Sequence, residues 1–173
     1  MFALFRDVLL LRRGPQDLPH SQALLGALCV VSVVLDLVLA SFLLDGPLPF
    51  TRALFSLGLL IALPALALSM AGLAPRLVQT ATALVGTGIV FSLLALPVVA
   101  GVGELPSDPS NLTPAQQLFG LISIVLLAYQ VAVKGHILRH AMDVPMRAGV
   151  LLAVAFFVIE LVLGLAVFGT RSA

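Results

Sequence analysis

The chain has 173 residues, 61% of them hydrophobic and only 10% charged, with nine basic and eight acidic side chains for a net charge of +1. Soluble domains average roughly 45–50% apolar and about 25% charged, so this composition excludes a globule in water, and the mean hydropathy of +1.18 agrees. The near-neutral balance excludes a nucleic-acid binder, which needs clustered Lys and Arg, and the single Cys29 excludes an internal disulfide and a cysteine-based metal cluster.

The first element in chain order is the segment over residues 1–20. It mixes Phe2, Leu4, Phe5, Val8, Leu9 and Leu11 with Arg6, Asp7, Arg12 and Arg13. The apolar run is too short to span a bilayer, and it lacks the basic lead and small-residue cleavage site of a signal peptide. A short helix lying in the cytoplasmic interface, arginines at the headgroups, is the expectation.

A hydrocarbon core of roughly 30 Å takes about 20 mainly apolar residues per helix. The gaps between charges place five such spans, near 22–44, 53–72, 78–101, 116–134 and 148–169. Asp45-Gly46-Pro47-Leu48-Pro49 breaks the chain after the first, and Gly72-Leu73-Ala74-Pro75 after the second. Pro64 and Pro97 are expected to kink the second and third spans. The longest loop, Gly101–Ala115, ends in Thr113-Pro114-Ala115-Gln116. That reads as a helix start with Thr as cap, Pro in the first turn and Gln closing a capping box. Asn111-Leu112-Thr113 also fits a glycosylation sequon; the following Pro114 favours the cap.

Basic residues set the orientation. Arg6, Arg12, Arg13, Arg76, Lys134, Arg139 and Arg147 fall on one side, against Arg52 and Arg171 on the other. This predicts a cytoplasmic N-terminus and a periplasmic C-terminus. The Leu/Ala/Val-rich, Lys-poor composition points to a bacterial inner membrane. The fold class expected is therefore all-α: an integral membrane bundle of five transmembrane helices with a short N-terminal interfacial helix, one domain over 1–173.

Two acids interrupt the spans, Asp36 in the first and Glu160 in the fifth. An acid at mid-span costs roughly 2.5–3.5 kcal/mol on insertion scales, so each needs a reason. Asp36 lies 14 residues beyond Gln22 and Glu160 12 beyond Ala148. These are depths of about 21 and 18 Å, so the two acids can share a layer. Cys29, Ser32, Asp36 and Ala40 form one small or polar stripe. Gly58, Ala62, Ala65, Ser69 and Gly72 form another, and Ala81, Gly88, Ser92 and Ala95 a third, all expected as packing faces. The fourth span offers Gly120, Ser123, Gln130 and Lys134, with Lys134 expected at its cytoplasmic end.

Asp36, Glu160, Ser32 and Gln130 are thus the intramembrane polar candidates. They serve either as a proton or cation site lining a cavity or as hydrogen-bonded register pins between helices. The scarcity of other polar residues favours the pins. His136 and His140, four apart, have the spacing of a metal-ligand pair, but no third ligand lies near in sequence. With Arg12, Arg13, Lys134, Arg139 and Arg147 they read instead as a basic juxtamembrane set for headgroup or partner contact. No hydrolase elbow or phosphate-binding loop is present. No catalysis, metal or cofactor is expected.

The segment Lys134-Gly135-His136-Ile137-Leu138-Arg139-His140-Ala141-Met142-Asp143-Val144-Pro145, followed by the span with Glu160, resembles short bacterial members of the Yip-domain family. Leu9-Leu10-Leu11-Arg12-Arg13-Gly14-Pro15 is similar too. The resemblance implies five closely spaced helices and a membrane-organising, adaptor or accessory role, since eukaryotic members of that family interact with Rab GTPases. Its implied partners are membrane lipids and other membrane proteins or a second copy of the chain. The alternative function is a small proton- or cation-coupled transporter or channel subunit using Asp36 and Glu160.

Overall fold

The computed structural model describes residues 2–43, 49–102 and 112–169. Among them every regular element is helical: α1 (Phe2–Leu9), α2 (Gln22–Leu43), α3 (Pro49–Met70), α4 (Leu77–Val102), α5 (Pro114–Met142) and α6 (Met146–Phe168). The five from α2 to α6 are each long and apolar enough to cross a membrane. The turn at 45–48, the loop core at 103–111 with its sequon Asn111, and Arg171 lie outside the described residues.

Four of the five spans end close to where the charges place them. The exception is α5, which runs to Met142, eight residues past the expected stop at Lys134. Lys134 marks no boundary because Ile137, Leu138 and Ala141 beyond it continue the apolar face and are buried. What stops α5 is Asp143, in the left-handed region at φ 53°, with the Val144 N–H returning to the Arg139 carbonyl at 3.0 Å. Gly72, at φ 71°, ends α3 the same way, with the Leu73 N–H on the Leu68 carbonyl at 2.7 Å. The start of α5 carries the expected capping box: the Gln116 N–H donates to Thr113 Oγ1 at 3.3 Å, and the Thr113 N–H donates to Gln116 Oε1 at 2.9 Å. Helices α3 and α4 run continuously through Pro64 and Pro97.

Helix α4 forms the centre, packing on α1, α2, α3 and α5, while α6 packs on α5 and α3. An apolar helix buried on most sides suits that place. Residues from Thr80 to Thr87 are all buried. Their hydroxyls are satisfied within the helix: Thr80, Thr82 and Thr87 donate to the carbonyls of Arg76, Val78 and Ala83, at 2.8, 2.6 and 2.8 Å. Helix α5 meets α6 through two glycines. A Cβ on Gly135 would lie 2.8 Å from Val150 Cα, and one on Gly149 would strike the Gly135 carbonyl. On the same face Arg76 joins two connections, pairing with Asp143 at 2.6 Å and donating to the Ala141 carbonyl at 3.0 Å.

Two expectations about small residues resolve differently. The Cys29–Ser32–Asp36–Ala40 stripe is half-buried, while Val30, Val31, Val34 and Val38 beside it point outward. The α3 stripe does not pack. Gly58, Ala62, Ser69 and Gly72 are exposed, nothing lies within 4 Å of a Cβ added at Gly58 or Gly72, and α3 instead buries Ala53, Pro64 and Leu68. Small residues on both faces left the pattern without a direction.

The N-terminal segment forms its helix but is held by protein. Phe5 covers Gly86, where an added Cβ would strike its ring, and Val8 and Leu18 enter the core with Leu84, Phe91, Val133 and Ile137. Tyr129 Oη donates to the Leu9 carbonyl at 2.7 Å, and Gln79 Nε2 to the Leu18 carbonyl at 2.8 Å.

Candidate functional site

Three polar side chains stand at one level of the bundle. Taking as reference the face on which α2, α4 and α6 begin, Asp36 lies 14 residues from Gln22, Glu160 14 from Met146 and Ser56 14 from Met70. At 1.5 Å per residue each is about 21 Å from that face. Ser56 Oγ donates to Glu160 Oε1 at 2.5 Å, joining α3 to α6. Lys134, eight residues before the end of α5, stands about 12 Å up on the same count. Lys134 and Glu160 both line the two spaces between α3, α5 and α6. Glu160 interacts electrostatically with Lys134 and with Asp36.

This overturns the expected place of Lys134. It is half-buried and shares a cleft with Glu160, well inside the helix and not at its end. The physical reason is the longer α5, which carries Lys134 more than two turns in from the helix end. A charge removed from water costs several kcal/mol unless it is paired and hydrogen-bonded; the Ser56 hydroxyl supplies the hydrogen bond for Glu160, and the Lys134 ammonium is a positive charge on the wall of the same cleft.

The remaining candidates separate. Gln130 is half-buried and lines the cleft, along with a second cleft of about 320 Å³ edged by Leu39, Phe91 and Ser92. Ser32 shares the inner stripe of α2 with Asp36, and neither makes a hydrogen bond among the described residues. His136 does not fit the headgroup set. It is 2% exposed, and its Nε2 lies 3.0 Å from the Arg13 carbonyl. A carbonyl only accepts, so that nitrogen carries the hydrogen. His140 packs edge-on against His136 with ring centroids 4.7 Å apart and meets Arg139 Nη2 at 3.1 Å. No group of three metal-ligating side chains gathers among the described residues. Arg12, Arg13 and Arg147 are exposed, and Arg13 also reaches Asp7 at 3.5 Å.

The main cleft measures about 480 Å³. It runs from Lys134 along α6 to Phe168, with Arg52 at its rim 5.1 Å from the Phe168 ring centroid. Ser56 escaped the reading of the sequence, which used Arg52 only for orientation. Ser56 had a signal, its equal count from a helix end to that of Glu160; Arg52 had none beyond its place near the start of α3. The arrangement is a carboxylate with one hydroxyl donor and one ammonium neighbour on the wall of a mostly apolar cleft, which is chemistry for holding or exchanging a small cation. No protein-family model matches the chain, and neither a curated protein nor a solved structure matches it.

Proposed function

We propose that the protein is a multi-pass inner-membrane protein of Yip-like type that organises or adapts other membrane proteins by lateral association, without catalysis. Its N-terminal segment and the α5–α6 turn face the cytoplasm in this reading. The observation that supports it is the outward face of α3. Gly58, Ala62 and Ser69 lie exposed at helical spacing, with no atom of the chain near Gly58. In lipid, small residues at that spacing let a neighbouring helix approach closely. The test is gentle extraction of the full chain, as it stands and as Gly58→Leu with Ala62→Leu, followed by analysis of what co-purifies. Loss of a stoichiometric partner or of self-association in the variant supports the reading. Unchanged association, or none in either protein, overturns it.

A second reading rests on the Glu160–Ser56–Lys134 cluster and the nearby Asp36: a small proton- or cation-coupled transporter or channel subunit. Reconstituted vesicles report it directly. Ion movement that disappears in the Asp36→Asn, Glu160→Gln double variant favours transport, and flux equal to that of empty vesicles removes it.

A further inference from the structure

The space around Glu160 is lopsided. From Lys134 toward the C-terminal end of α6 it measures about 480 Å³, with Ser56, Gln130 and Arg52 on its walls. Past the same Lys134–Glu160 pair, toward the opposite face, it shrinks to about 20 Å³. The walls there include Pro64, Leu84, Leu138 and Ala153, all buried. A space of that size holds about one water. Solvent-sized room therefore meets the carboxylate from one direction among the described residues.

Charge determines what that room accepts. Asp36 on α2, Lys134 on α5 and Glu160 on α6 sum to one negative charge, and isolated charge is costly in a low-dielectric bundle. The other elements around the group add little to this balance. Arg52 of α3 stays at the rim beside Phe168, Ser56 is neutral, Gln130 is neutral, and α4 contributes Leu84 alone to these walls. One added positive charge neutralises the layer.

We propose that Glu160 is a proton-exchange site supplied from the α6 C-terminal side alone, with Lys134 as the positive charge on the same cleft wall that offsets its ionised form. Hydronium in the cleft gives its proton to the Glu160 oxygen opposite the one held by Ser56. An O–H bond forms there, a water is left, and Lys134 keeps its own proton. Gln130, on the wall of the same cleft, offers its amide oxygen to the ammonium once Glu160 is neutral. The site shares its residues with the transport reading, but proton occupancy is measured without any flux. A protein that takes up the proton and moves no ions keeps the site and loses that reading.

Two measurements on the full chain in sealed lipid vesicles test it. In a Cys29→Ser background, Gly164→Cys and Leu138→Cys are exposed to a membrane-impermeant thiol reagent from each side. Gly164 lines the open cleft, and nothing lies within 4 Å of its added Cβ. The expected result is labelling of Gly164→Cys from the α6 C-terminal side only and of Leu138→Cys from neither. Labelling of Leu138→Cys, or of Gly164→Cys from the opposite side, overturns the one-sided access. Infrared difference spectra between alkaline and acidic buffer then follow the carbonyl band of a protonated carboxyl. One component of the band should be missing in Glu160→Gln, remain in Asp36→Asn and extend to more alkaline pH in Lys134→Met, where the neighbouring positive charge is gone. A band unchanged by Glu160→Gln, or no band in the unaltered chain, overturns the site. Glu160→Gln keeps a hydrogen-bonding group for Ser56, and Lys134→Arg, which should behave as the parent, covers a Lys134→Met variant that fails to fold.

Discussion

The α5–α6 crossing and the outer face of α3 use small residues in opposite ways. Toward the face where α4 and α6 begin, Gly135 and Gly149 bring α5 and α6 into backbone contact, Gly86 admits the Phe5 ring, and Leu68, Leu84 and Leu138 fill the remainder. Toward the other face Gly58, Gly120 and Gly164 touch nothing, and the clefts beside Gln130 open between the helices. A glycine in these long apolar helices thus has two distinct uses. It either closes a crossing or leaves a surface bare, and only the tertiary neighbours decide which.

The comparison breaks most sharply at Gly135. Gly135→Val drives a branched side chain into the Val150 backbone, and overpacking of this kind costs about 1–3 kcal/mol or more where backbone cannot yield. We expect most folded protein to be lost on heating or in harsh detergent at conditions the parent survives. Gly164→Ala, facing open space, should be indistinguishable from the parent in the same assay. Next in size is Gly86→Leu, which displaces Phe5. The bundle should persist while residues 2–18 become sensitive to protease and to hydrogen exchange. Smaller again is Tyr129→Phe, which removes the hydrogen bond to the Leu9 carbonyl and should cost about 0.5–1.5 kcal/mol, read as faster exchange in that segment. The smallest effect belongs to Arg76→Ala. Its pair with Asp143 is partly exposed, and such pairs contribute about 0–1 kcal/mol, so thermal stability should barely move and added salt should erase the difference.

The five long apolar helices were legible because so few charges interrupt the chain that the gaps between them draw the helices directly. The Thr113–Gln116 cap was legible because its chemistry is local. The end of α5 was not, because a lysine reads as a boundary unless its counter-charge on another helix is known. Glu160 on α6 lines the same cleft as Lys134, and sequence distance conceals it. Counting residues from helix ends does put Asp36 and Glu160 near one depth, since rise per residue is fixed. It cannot say that Ser56 completes the layer, because that depends on the rotation of α3 about its own axis. The outward direction of Gly58 was hidden for the same reason.

The N-terminal segment is gripped by its main chain. Gln79, Tyr129 and His136 meet the carbonyls of Leu18, Leu9 and Arg13, groups that every residue type provides. These three hydrogen bonds are blind to side-chain identity, while Leu18 is held by its buried side chain as well. The segment can therefore change much of its exposed chemistry, charge included, while staying seated on α4 and α5. Drift at the exposed positions Arg12, Arg13, Gln16 and Asp17 is compatible with strict retention of shape, and the gripping side chains on the bundle would be the slower partners to change.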